Sequence, residues 1–165
     1  MKNGRKFVRS AGQRGLTLLE LIIALVILGI LAAAALPMAE VAVTRNKEIE
    51  LRRSLREMRS AIDAWKADFD KAVEEKKITP SINETGYPES LEELVEGNDW
   101  GGLYPYKRKY LRRIPVDPFD EYQEGWGMRS TKDDPDSTVY GGEDLYDVYS
   151  QSTRTALDGT LYNTW

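Results

Sequence analysis

The chain has 165 residues, enough for one domain with an attached helix and too few for two ordinary domains. Its 23 basic and 27 acidic residues give a net charge of −4, and both histidine and cysteine are absent. Without an imidazole, Ser-His-Asp catalysis, histidine zinc sites and the commonest general base are excluded. Without a thiol, no disulfide can form even in an oxidising compartment.

Five basic residues and no acidic one open the chain: Lys2, Arg5, Lys6, Arg9 and Arg14. Gly15-Leu16-Thr17-Leu18-Leu19-Glu20 follows, and then the unbroken apolar run from Leu21 to Leu36. From Leu16 to Ala39 there are 24 residues, which as a helix span roughly 36 Å against a hydrocarbon core of about 30 Å. The basic flank places the N-terminus in the cytoplasm. Glu20 is the exceptional residue, because a charge inside such a segment costs roughly 2.5–3.5 kcal/mol on insertion scales. Neither a plain anchor nor a secretory signal peptide cut near Ala32 to Ala35 needs it. A cut before the apolar run, between Gly15 and Leu16, gives it a purpose.

These residues resemble the class III signal of type IV pilins and type II secretion pseudopilins. The resemblance implies that a membrane-bound prepilin peptidase cuts after Gly15 and methylates the new amine of Leu16. It makes Glu20 the assembly residue and places the helix glycine and kinking proline at Gly29 and Pro37. It also implies a single-pass protein of the bacterial inner membrane with its globular part in the periplasm. Its partners would be the peptidase, other copies and minor pseudopilins in a helical filament, and an inner-membrane assembly platform. The spacing has a physical rationale. The freed Leu16 amine is cationic near neutral pH; in an apolar interior it and Glu20 are each costly alone and less costly together, so the pair sets register more than it adds stability.

Loss of the five leader cations leaves 18 basic against 27 acidic residues, or −9, over 150 residues. An acidic body disfavours nucleic acid as a partner. Within the chain we expect a cleaved leader over 1–15, a transmembrane assembly helix over 16–39, an amphipathic helix over 40–77 and a globular part over 78–165. Pro37 predicts a kink. Leu51, Leu55, Met58, Ile62, Trp65, Phe69 and Val73 recur at helical spacing and read as a core stripe, opposite a charged face that includes Arg52, Arg53, Arg56 and Arg59. Thr79-Pro80 stops the helix.

Ser90-Leu91-Glu92-Glu93 reads as a capping box opening a short helix. Gly125 to Ser130 and Leu145 to Ser150 read as strands with alternating faces. Tyr87-Pro88, Leu91 to Leu94, Tyr110 to Pro118, Trp126-Gly127 and Tyr146 to Ser150 together look like the major, G-type pseudopilin of type II secretion. That implies an α+β, pilin-like fold: a long kinked helix, transmembrane then amphipathic, packed on a small antiparallel sheet.

In that subunit a C-terminal loop commonly holds calcium. The matching stretch here offers Asp158 as its acidic side chain, with oxygens from Ser150, Ser152, Thr153 and Thr160, so calcium ligation stands beside a metal-free Asp158-Gly159 turn. Asp133, Asp134 and Asp136 read as a solvated loop, with cation binding as the other reading.

The expected function is structural, a pseudopilus subunit that drives protein export, with a type IV pilin as the alternative. A tethered enzyme using Asp133/Asp136 with Asp117/Asp120 is a distant rival, and so is a binding module built on Trp100, Tyr104, Tyr106 and Tyr110.

Overall fold

The computed structural model describes residues 17–165, and at positions 34 and 36 the main chain only. In chain order it contains α1 (Leu18–Glu74), α2 (Leu91–Glu96), β1 (Trp126–Arg129), β2 (Asp147–Ser150) and a closing 3-10 turn (Tyr162–Thr164). Two compact units meet after Glu40 in the sequence. The described part of the first is helical from Leu18 and uninterrupted through Gly29 and Pro37. The second carries the α+β fold, with the amphipathic part of α1 lying against a two-stranded antiparallel sheet in a pilin-like arrangement.

The stripe on α1 forms the centre of that second unit. Leu51, Leu55, Met58, Ile62, Trp65 and Phe69 are buried, and they cluster with Leu91 and Leu94 of α2, Trp126 of β1, Val148 of β2 and Tyr162. Each such side chain contributes about 1.5–3 kcal/mol on burial, so the stripe is the main source of stability. Val73, its last member, is only partly buried. Trp100 closes the far end, its ring edge-on to Trp65 at 4.7 Å.

α1 ends at Glu74, three residues before the expected stop at Lys77. Lys76 takes a left-handed conformation (φ 59°), Lys77 N donates to Ala72 O (2.8 Å) and Lys76 N to Val73 O (3.0 Å). That is a Schellman closure with lysine where glycine is usual, so the sequence carries no glycine to mark it. α2 starts after Ser90 as expected, but the capping box is not formed. The Ser90 hydroxyl makes no cap bond, and the Glu93 carboxylate accepts from Glu89 N (3.0 Å), one residue earlier than a box requires. Gly97 ends α2 at φ 79°, and a Cβ there would lie 2.4 Å from Arg108 O.

The strands are shorter than the expected runs and do not alternate between buried and exposed. Three of four residues in each are buried. Both faces are covered, because Tyr149 lies over Gly127, where a Cβ would sit 2.3 Å from the ring, and Arg129 stacks on Tyr149 at 4.0 Å. The register pairs Trp126 with Ser150 and Arg129 with Asp147.

Two buried titratable side chains, Asp144 and Tyr162, tie distant segments to this frame. Asp144 accepts from Thr131 N and Thr131 Oγ1, both at 2.9 Å. Burial alone would raise its pKa, but hydrogen bonds from Thr85, Thr131 and Ser130 outweigh that and hold the carboxyl below its usual range. Tyr162 is pushed the other way, up to about 12, by burial and then by its bond to Glu48. The signs set two limbs of a pH–stability profile. Asp144 stabilises above the ordinary carboxyl range near 3.8 and loses that contribution as pH falls through its lowered value. Tyr162 stabilises fully below 10 and loses its contribution as pH rises toward about 12. Melting followed against pH is expected to fall on both sides, and Tyr162→Phe is expected to flatten the alkaline limb.

Candidate functional site

The expected cleavage and methylation positions, Gly15 and Leu16, lie outside the described residues. The described helix opens just after them. Thr17 is its N-cap: the Thr17 hydroxyl accepts from Glu20 N (3.2 Å), and Thr17 O from Leu21 N (3.1 Å). Glu20 therefore sits in the first turn of the described helix, where a carboxylate is favoured by the free amides and the helix dipole. The sequence reading started the segment at Leu16 and missed the Thr17 cap, although Thr17-x-x-Glu20 is the spacing of a capping box.

From Leu18 to Val43 every described side chain is exposed, including Ile22, Ile23, Val26 and Ile30. A helix this long and apolar is able to cross a membrane. Gly29 lies within it with nothing inside 4 Å of where a Cβ would be.

The C-terminal turn, the second expected site, lies in the other unit. Gly159 N donates to Ala156 O (3.0 Å) and Ala156 N to Thr160 O (2.7 Å), closing the Asp-Gly turn. Both Asp158 oxygens are engaged. Oδ1 accepts from Thr160 N (3.0 Å) and Thr160 Oγ1 (2.6 Å), and Oδ2 from Arg52 (3.2 Å). The Thr160 bonds, and then the Arg52 charge, hold its carboxyl below the usual range. Ser150 is buried and its hydroxyl accepts from Ser152 N (3.1 Å), while the Ser152 hydroxyl accepts from Arg154 N (3.4 Å). Among the described residues no hydrogen bond joins Asp158 to either serine, and no group of three or more acidic side chains is poised around a metal.

Calcium takes six to eight oxygens. A single carboxylate already facing a guanidinium does not fit it. Arg52 supplies the positive charge there and also lies over the Trp165 ring at 4.0 Å, while Trp165 Nε1 donates to Thr160 Oγ1 (2.7 Å). Addition of a calcium chelator to the full chain is therefore expected to leave its melting temperature unchanged. A drop of several degrees would restore a metal at this turn.

Of the remaining acidic candidates, Asp117, Asp120 and Asp133 have local partners, whereas among the described residues no side-chain bond is made by Asp134 or Asp136. Asp117 caps Phe119 N (2.8 Å), Asp120 accepts from Tyr122, Glu124 and Gly125 amides, and Asp133 from Ser130 and Gly141 amides. The Gly125 amide is the largest of the influences that lower the pKa of Asp120. Trp100, Tyr104 and Tyr110 belong to a half-buried network on α1, whereas Tyr106 is exposed. At the centre of that network is Asp68, which no reading of the sequence singled out. It accepts from Tyr104 Oη (2.9 Å), Tyr110 Oη and Arg108 (2.8 Å).

Comparison with known proteins agrees with the N-terminal geometry. Residues 10–36 match the family described as the prokaryotic N-terminal methylation motif. No curated protein and no solved structure matches the chain. The matched segment holds the Gly15–Leu16 junction, Glu20 and the whole apolar run from Leu21 to Leu36, so the chain carries the prepilin signature of type IV pilin-like proteins at the head of a membrane-capable helix.

Proposed function

We propose that the chain is a structural subunit of a type II secretion pseudopilus and not an enzyme. Prepilin peptidase removes residues 1–15 and methylates Leu16. The mature protein waits in the inner membrane with residues 41–165 in the periplasm. It then joins other copies and minor pseudopilins at an assembly platform, and the growing filament drives protein export. The observation that carries this reading is the methylation motif running straight into a helix whose described side chains are uncovered from Leu18 to Val43. Such a surface needs a host, first lipid and then neighbouring helices. On assembly, Glu20 of one subunit neutralises a Leu16 amine.

Type IVa pilins commonly carry a C-terminal cysteine pair, so the absence of cysteine, with the resemblance of Tyr110 to Pro118, favours the pseudopilus over a type IV pilin. The carboxylates that a hydrolytic enzyme would need mostly cap main-chain amides of their own loops, which favours a structural role.

Two measurements test the proposal. Mass analysis of the membrane-extracted protein is expected to show a chain beginning at a methylated Leu16; a retained leader, or a start beyond Ala35, would overturn processing. Deletion of the gene in its host is expected to abolish export of secreted enzymes while surface motility and DNA uptake persist. The opposite pattern selects the pilin.

A further inference from the structure

The second unit carries, on two faces, charges that its own ion pairs leave uncompensated among the described residues: Arg45 and Arg56 along α1, where Arg52 already faces Asp158, and Glu92 and Glu96 on α2. Along one flank of α1, two hollows of about 490 and 360 Å³ share Arg52. Arg45, Arg52 and Arg56 supply the positive rim, while Ile49, Leu157 and Trp165 supply apolar lining. Ile49 and Leu157 remain 60% and 48% exposed. The two carboxylates in the hollows are engaged locally: Glu48 accepts from Leu157 N and Tyr162 Oη, and Asp158 faces Thr160 and Arg52. Arg56 makes one bond, to Arg52 O, and neither it nor Arg45 has a carboxylate within ion-pair distance among the described residues.

The complementary face is α2. Leu91 and Leu94 point into the core, which leaves Glu92 and Glu96 exposed one turn apart. Neither has a basic partner among the described residues, and no basic residue occupies the last turn of α2. Glu96 therefore sits at a helix C-terminus, where negative charge is disfavoured. Arg52 and Arg56 are also one turn apart, so the two pairs have matching spacing of about 6 Å.

Resting on the filament reading above, we infer that the Arg52–Arg56 flank of α1, with Trp165, receives the Glu92–Glu96 face of α2 from a second copy of this chain. The two surfaces are different and each complements the other rather than itself. Such a contact is heterologous, and it propagates head to tail instead of closing a two-fold dimer. It brings an acidic helix onto a basic, partly apolar groove and relieves the repulsion on α2, giving register to subunits whose main cohesion comes from residues 16–39.

The test uses the full chain, processed and expressed in its host. Because the chain lacks cysteine, Arg56→Cys with Glu92→Cys introduces the only thiols. A short bismaleimide is expected to convert this double variant into a ladder of covalent multimers extending past the dimer, while each single variant gives none beyond the dimer. No ladder from a preparation whose sheared filaments are visible would overturn the contact and leave the filament reading intact. A ladder without filaments would keep the contact and remove that reading; absence of both removes both. Should the cysteine pair misfold, charge reversal decides. Arg56→Glu is expected to lower filament yield about tenfold, with Glu92→Arg and Glu96→Arg restoring it in the same chain. Unchanged yield in Arg56→Glu would overturn the contact.

Discussion

Asp68→Ala is expected to lower the stability of the folded unit by about 3 kcal/mol. The side chain of Asp68 is 9% exposed and that of its partner Arg108 41%, so the loss falls at the low end of the range for a broken buried pair. The damage comes from what remains. Tyr110 Oη and Tyr104 Oη lose their acceptor, and Arg108 loses its counter-charge beside two tyrosine rings, each 5.3 Å away. Trp100 Nε1 still donates to Tyr110 Oη (2.7 Å), so the disturbance reaches the aromatic end of the core. Burial and the bond to Asp68 raise the pKa of Tyr110 well above 10, which keeps its hydroxyl a donor at every physiological pH. Thermal melting should register the loss as a fall of about 10 °C. Asp68→Asn, which retains an acceptor, should fall less. A change under 2 °C in Asp68→Ala would show that the network is ornamental to stability.

Glu20→Ala is expected to leave processing, methylation and membrane insertion intact while reducing sheared filament by at least about a hundredfold. Removal of one member of a pair in an apolar interior leaves the other charge uncompensated, at a cost of about 3–5 kcal/mol, and about 1.4 kcal/mol is a factor of ten. Glu20→Gln should behave similarly, because an amide does not neutralise an ammonium. The readouts are the mature mass, the membrane fraction and filament counts. Normal filament yield in Glu20→Ala with a correctly processed N-terminus would remove the role assigned to Glu20. The described geometry adds one requirement. Thr17 caps the main chain of Glu20 through its hydroxyl, so the carboxylate itself is left available for a partner.

The parts of the protein that follow from periodicity were legible in the sequence. The Leu51 to Phe69 stripe became the core, and the apolar run became a helix able to enter a membrane. The C-terminal Asp-Gly turn formed where Gly159 permits φ 88°. What escaped depends on contacts between distant residues. The end of α1 hid behind Lys76, a non-glycine residue in a left-handed conformation. The strands lost their alternation because Arg129 and Tyr149 cover the face that a two-stranded sheet would expose. Nothing in the sequence sets Asp68 apart from the other charged residues of α1. Its importance appears only when Tyr104, Arg108 and Tyr110 arrive from a loop about forty residues away. The candidate calcium turn offered one carboxylate, Asp158, with hydroxyl and carbonyl oxygens, and the guanidinium that faces it comes from Arg52, 106 residues earlier.

The paired strands contribute only four residues each, so few main-chain bonds cross between them. The outer contour of the second unit is accordingly fixed by individual side-chain brackets: Arg59 to Asp147 and Val148, Arg129 to Ser137 O, and Trp126 Nε1 to Pro115 O. A wall assembled from separate clasps can be re-sculpted one clasp at a time without disturbing the rod beneath. Exchange of any one clasp on the exterior therefore leaves the buried stripe of α1 and its partners in place.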